Sequence, residues 1–568
     1  MTTLREFKGI EGSNFFDDDH GFQSILGEIL PADDLPVVLA SLSESGALVG
    51  GRWNELANEG ARPEQAPRII KTDRAGNPVE RVDFGPSTRQ LRREVAEFGV
   101  LTRPRNEVHK FALVYLLAHN GEASLTCPIS CTDGAIRAVE QKGSDFLRET
   151  YLAKLRSSDI PFGGAQFITE PGAGSDVGAI ETIARQGENG NWTISGEKWF
   201  CSNPDEFFVV AARPEGAPGG TEGVAVFLVP RRGLDGKPNG LAFRRLKDKL
   251  GTRSLPTAEI DFNDAVAYPL GEPGEGFKTL MNYVINVSRV HNAANACGFL
   301  HRAFLEARNY ARQRTAFGNE IISYPLVRET LLMLLERLWR NRLLTFRLVA
   351  LIDRNGLTPS DPREAMWQRF LVNLAKYRTA STLTDSIREA ILLFGGNGIV
   401  EDFTVLPRLL RDAMIIETWE GAHNTLCLQI LRDAARSDLL VRWRSEVGSV
   451  LERWPRDFLS ATRSRFDQTF RQTVELLFDE DREDPGWGES HARRIIDRLG
   501  SLLEIGWMAA LALARVSEDA TAALLTSAAS YRLLPTVNVF EHPALEVLAE
   551  YSGNLIDEIP IRANVGRL

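Results

Sequence analysis

The chain has few cysteines for its length, five in 568 residues, and they are Cys127, Cys131, Cys201, Cys297 and Cys427. They form no CxxC pair and no Cys/His ligand spacing, which excludes a zinc motif and points to reduced thiols. No apolar run is long enough to cross a bilayer. The first twenty residues, MTTLREFKGIEGSNFFDDDH, have neither a hydrophobic signal core nor the Arg-rich, acid-poor bias of a transit peptide. The expectation is a soluble cytoplasmic protein without membrane insertion. From residue 437 onward there is no lysine, and about 21 acidic residues stand against 15 arginines. With a net charge of −10, this disfavours a broad nucleic-acid surface, since phosphate contacts need a basic stripe. Arginine pairs such as Arg442/Arg444 and Arg493/Arg494 keep DNA binding open as an alternative.

What is present is enough chain for three or four domains. Residues 1–160 read as helical, with loops such as RPEQAPR and DRAGNP between apolar-periodic runs. Residues 161–272 switch to short β-rich runs (WTISG, FFVVAAR, GVAVFLVP, LAFRRL, TAEIDF) separated by turns such as GENGN and GAPGG. Residues 273–436 return to long helices with short connections, the pattern of an antiparallel bundle. Residues 437–568 add a further helical region containing the acidic stretch FDEDREDPGWGES. The fold class expected is mainly α with a central β domain.

Five stretches carry chemistry. FITEPGAGSDV (Phe167–Val177) is a turn whose amides and hydroxyls (Thr169, Ser175) can face a ligand, although it matches neither a phosphate loop nor a dinucleotide fingerprint. SGEKWFCSN (Ser195–Asn203) places Ser202 just after Trp199 and Phe200, which suits stacking and hydrogen bonding to a planar heterocycle. A half-buried strand is the plainer alternative. RQRTAFG and FGGNG can receive a diphosphate or can simply cap helices. In RLLRDAMIIETWEGAHNTLCLQILR, Glu420 falls at the break between two apolar helical runs, beside Trp419 and Gly421. It can act as a general base with a pKa raised by the apolar wall, or as a cap of the second helix.

Taken in order, FITEPGAGSDV, SGEKWFCSN, KLGTRSLPT, GFKTLMNYVINVSRV, ARQRTAFG, FGGNGIVED and LLRDAMIIETWEG resemble the acyl-CoA dehydrogenase superfamily from about residue 160 to 436. NFFDDDHGFQSIL, TCPISCTDGA and the extra tail are most similar to its longer, alkylation-response (AidB-like) branch. The resemblance implies FAD, with the backbone of Phe167, Ile168 and Thr169 at the flavin pyrimidine edge, Phe200 stacked on the ring and Ser202 near flavin N5. It further implies that Arg314, Phe317, Gly395, Gly396 and Asn424 hold the nucleotide part, across a subunit interface in a homodimer or homotetramer. Ser175 and Arg289 match substrate-binding positions, and Glu420 matches the catalytic base. Ser288 occupies the place where some relatives carry their base, so Glu420 has no evident rival. Pro325 and Leu392 depart from glutamines common at nucleotide-contacting positions, and Ala422 and His423 replace small hydroxyl residues.

The implied reaction is α,β-dehydrogenation of an acyl-CoA thioester, with Glu420 taking the α-proton and flavin N5 the hydride. Electron-transfer flavoprotein or another acceptor would reoxidise the flavin. The alternatives are a flavoprotein that binds DNA and one that sequesters acyl-CoA with little turnover.

Overall fold

The computed structural model describes residues 7–188, 190–478, 486–534 and 544–561. Most of the acidic stretch (479–485) and residue 189 of the GENGN turn lie outside the described residues. By contacts the chain divides into two units, residues 52–291 and residues 1–51 with 292–568.

The first unit is built on a β domain. After a hairpin, β1 (Arg68–Thr72) and β2 (Pro78–Asp83), come β3 (Gly164–Phe167), β4 (Ile183–Gln186), β5 (Trp192–Ser202), β6 (Phe207–Pro214), β7 (Ala225–Pro230), β8 (Leu241–Leu246) and β9 (Thr257–Pro269). The seven strands β3–β9 form one sheet in which β6, β4, β5, β9 and β7 close on themselves through the β6–β7 pairing, making a barrel. The hairpin falls in the region whose pattern reads as helical. DRAGNP is its turn, held by Asp73, whose carboxylate accepts from the amides of Ala75 and Asn77 at 2.8 and 2.9 Å.

The apolar run FFVVAAR follows from this closure. Phe208, Val210 and Ala212 point into the barrel with Phe167, Phe227, Phe243 and Ile260. Phe207, Val209 and Ala211 point outward against Ile136, Val139, Tyr151 and Val284 of the covering helices. A strand buried on both faces shows no alternation, so its sequence is continuously apolar. Each such large side chain contributes about 1.5–3 kcal/mol by leaving water. A π-helical turn, Met281–Ile285, leads into the helix Asn286–Gln313. Such turns inside helices occur frequently at functional sites.

The second unit is helical. Its long members are Pro325–Asn355, Pro362–Ser381, Leu383–Phe394, Leu406–Thr418 and His423–Ala434. The tail adds Leu439–Arg453, Ser460–Leu477, Ala492–Arg515, Thr521–Leu533 and Ala544–Ile556 to the same unit. Trp443, fully buried, donates its indole N–H to Leu499 O at 3.2 Å and so joins two tail helices. Residues 7–51 also belong here, anchored by the buried Asp19, whose carboxylate meets Arg342 and lies 3.3 Å from His301 Nδ1. Among the described residues no helix is long and apolar enough to cross a membrane.

Candidate functional site

In the β-domain unit the FIT segment leaves the barrel at the end of β3. Phe167 is buried and stacked on Phe208 at 4.7 Å between centroids, which fixes where the strand ends. Ile168 and Thr169 then emerge half-buried. Two bonds from β5 hold them: Trp199 N–H donates to Thr169 O at 2.9 Å, and Lys198 Nζ donates to Ile168 O at 3.0 Å. The fully buried Lys198 also meets Glu170 Oε1 at 2.5 Å. Burial pushes the Lys198 ammonium pKa down, and the Glu170 charge only partly restores it. Because Ile168 C=O and Thr169 N–H share one peptide group, an ammonium on the oxygen makes that N–H a stronger donor. Sequence reading missed this pair. The one available signal was a lysine within a strand otherwise destined for the barrel.

Phe200 is half exposed on the same strand, next to Trp199, and Lys247 Nζ lies 3.4 Å from the Trp199 ring centroid and 4.8 Å from that of Phe200. Ser202 Oγ shares a hydrogen bond with Thr257 Oγ1 at 3.0 Å. Ser175 is exposed in the glycine-rich turn, whereas Arg289 is buried at the start of its helix. Beside it, the Ser288 hydroxyl accepts from Gln166 Nε2 and Ser130 Oγ, each at 3.1 Å. The position where a rival base could sit therefore carries a hydroxyl bonded to neutral partners.

In the helical unit, Arg314 and Phe317 occupy an exposed turn in which Phe317 (φ +50°) is 96% exposed. Gly395 (φ +60°) and Gly396 are exposed, with open space where a Cβ would stand. These two turns are brought together by Tyr310, which stacks on Phe394 at 4.1 Å and accepts from Asn397 Nδ2 at 3.4 Å.

Glu420 stands in the four-residue break between Leu406–Thr418 and His423–Ala434. Its φ is +59° and that of Gly421 +106°. The left-handed backbone is thus not confined to the glycine, which alone adopts it freely. A glutamate in the left-handed region costs on the order of 1 kcal/mol or more and persists only where its surroundings impose it. The N-cap of the second helix is Ala422, so Glu420 is not in the capping position. Glu420 and Trp419 are both half-buried, and Asn424 is exposed one turn on. Lys376, fully buried on the helix Pro362–Ser381, donates to Glu417 O at 3.0 Å and Gly421 O at 2.8 Å. His423 packs edge-on to Tyr377, and burial, then Lys376 and Arg493, lower its pKa to about 4, so it is neutral near pH 7. Burial pushes the neighbouring Cys427 thiol up to about 12, which makes it inert.

Among the described residues one buried trio, Asp19, His301 and Glu558, has potential metal-ligand atoms within 4.8 Å of one another. Arg342 and Arg308 face its two carboxylates and supply the countercharge that a cation would bring.

Comparison with known proteins agrees with this architecture stretch by stretch. Residues 7–159 match the AidB adaptive response N-terminal domain, 165–265 the acyl-CoA dehydrogenase middle domain and 274–435 the acyl-CoA dehydrogenase C-terminal domain. The chain is 30% identical over 486 residues to acyl-CoA dehydrogenase family member 11 of Caenorhabditis elegans, covering 82% of this chain and 78% of the relative. It is 30% identical over 436 residues to AidB of Escherichia coli, covering 72% and 77%. Among solved structures, Caenorhabditis elegans ACDH-11 in complex with C11-CoA superimposes with a TM-score of 0.86 at 25% identity, over 97% of each chain. The Bd2924 apo-form gives 0.78 at 30% identity, over 89% of this chain and 99% of that one. FAD is the cofactor that this relationship implies. The chain belongs to the acyl-CoA dehydrogenase family, in its AidB-type branch.

Proposed function

We propose that this protein is an FAD-dependent acyl-CoA dehydrogenase that removes the α-proton of an acyl-CoA thioester with Glu420. The observation that carries the reading is the backbone of Glu420: a carboxylate held at positive φ in a short interhelical break, outside the capping position. Strain of this kind is kept where a side chain must be presented in one direction. The reading is supported by the family relationship and by the acyl-CoA bound to ACDH-11.

The residues present fit an FAD. The peptide Ile168–Thr169, with an ammonium on its oxygen, offers a strengthened N–H to the pyrimidine edge. Phe200 offers a half-exposed ring for stacking, and the Ser202 hydroxyl a hydrogen bond. Arg314, Gly395, Gly396 and Asn424 offer a guanidinium, two open backbone positions and an amide to the nucleotide part. When bound, FAD supplies the hydride acceptor. Glu420 takes the proton, Ser175 and Arg289 bind substrate, and backbone N–H groups near Glu420 polarise the thioester carbonyl, which acidifies the α-carbon.

The test is anaerobic titration of the yellow holoprotein with saturated acyl-CoAs of graded chain length. Loss of flavin absorbance with formation of the 2-enoyl-CoA is expected for at least one length. A flavin that stays oxidised with every acyl-CoA, although each binds, would leave a sequestering protein instead.

We also propose that the active form is a homodimer or homotetramer. Phe317, Leu326, Leu392 and Ile399 are large apolar side chains exposed on or beside the two turns joined through Tyr310. Monomeric surfaces seldom leave such groups clustered in water. Phe317→Asp keeps a residue tolerant of positive φ and is expected to shift the protein to a smaller species in light scattering and to weaken FAD retention. An unchanged mass would remove Phe317 from the interface.

A further inference from the structure

Lys376 is the one charged residue in the apolar run FLVNLAKY, and its side chain is fully buried. Its ammonium spans the break that carries Glu420. One bond goes to Glu417 O, in the last turn of the helix Leu406–Thr418, and the other to Gly421 O beyond the break. Carbonyls in a last helical turn have no intrahelical partner, and they form the negative end of the helix dipole. A cation there is well placed, but a cap alone would need only Glu417 O. The second bond fixes the residue on the far side of Glu420, so the two anchors together limit the φ and ψ available to it.

The helix that bears Lys376 is itself fixed by the tail. Tyr377 OH donates to Asp497 Oδ1 at 2.9 Å, and Arg378 donates to Glu504 Oε1 at 2.8 Å and to Asp497 Oδ1 at 2.8 Å. Asp497 and Glu504 lie on the helix Ala492–Arg515, in the region beyond the bundle. Three consecutive side chains, Lys376, Tyr377 and Arg378, therefore connect the break to the extra helices. On the same N-terminal flank of the break, Thr384 Oγ1 donates to the Glu417 carboxylate.

We propose that Lys376 is a positioning residue for Glu420, and that the tail helix Ala492–Arg515 buttresses it. The inference rests on the reading of Glu420 as the base. Lys376 does not touch substrate. It holds the carboxylate in the direction of the α-carbon by fixing the backbone on both sides of it.

The test compares Lys376→Met and Lys376→Arg with the wild-type holoenzyme. In Lys376→Met the rate of flavin reduction should fall by about 10- to 100-fold, the size expected when a reacting group is displaced by about 1 Å. KM should stay within a few-fold, because Lys376 bonds the backbone beside the carboxylate and not the substrate. Lys376→Arg keeps a cation that can bond both carbonyls, so the rate should fall less. A merely structural lysine would give a lower melting temperature with an unchanged rate and KM per mole of bound FAD, and that result overturns the proposal. If Lys376→Met does not fold, Lys376→Arg decides: a wild-type rate per mole of bound FAD overturns it. Glu420→Gln run alongside separates the two claims, because full flavin reduction in that variant would defeat the base assignment itself. Loss in Glu420→Gln with no change in the Lys376 variants would defeat the positioning role alone.

Discussion

Glu420→Gln is expected to bind FAD and acyl-CoA as the wild type does and to reduce the flavin about 10²- to 10⁴-fold more slowly, the usual contribution of a general base. The amide is nearly the same size as the carboxylate, so the positive-φ backbone and the two Lys376 anchors at Glu417 O and Gly421 O remain available. What is lost is the carboxylate proposed to accept the α-proton. Ser288 is a poor replacement, since its hydroxyl, bonded to the neutral side chains of Ser130 and Gln166, is a far weaker base than a carboxylate. His423 is neutral near pH 7, but its Nε2 is buried, so it is poorly placed to recover the rate. Stopped-flow bleaching under anaerobic conditions measures the effect directly. Wild-type bleaching in the variant would remove Glu420 from the mechanism.

Much of the architecture was legible because local pattern and global fold agree. The change from helical to β patterning near residue 160, and back near 274, appears in the structure as the β domain between helical regions. The hairpin β1–β2 was not legible. RIIKT and PVERVD are short and mostly half-exposed, so neither carries a strong period, and only the turn residues DRAGNP mark them. The break at Glu420 could be located from Trp419 and Gly421, but its positive φ could not. The residues on either side of Glu420 are bonded by Lys376 of the Pro362–Ser381 helix, more than forty residues earlier in the chain. The same holds for Lys198. Its place in β5 can be read from sequence, whereas its bond to Ile168 O depends on how the barrel closes. The residues proposed to carry chemistry stand out in the sequence by type and neighbourhood. The residues that aim them do not, because an aiming residue is defined by a tertiary contact.

The buttress itself offers the largest stability effect. Glu504 is buried and receives Arg340 Nη1 at 2.7 Å and Arg378 at 2.8 and 3.0 Å, and Arg340 also meets Glu336. Burial alone would raise the Glu504 pKa, but the two guanidiniums more than offset it and hold the carboxyl below its usual 4.5. Glu504→Gln removes the shared anion and leaves two buried guanidiniums with less countercharge. The expected loss is about 3–5 kcal/mol, typical of removing one member of a buried ionic cluster. The sign of its pH dependence follows from the lowered pKa. The contribution of Glu504 is complete above its unfolded value and is lost as pH falls through the folded one, so wild type and variant should converge in acid. Denaturant melts at neutral and acidic pH measure both quantities. Coincident midpoints at neutral pH would mean that the tail is held to the bundle by apolar packing, and that the ionic cluster serves only to fix which way the Pro362–Ser381 helix faces.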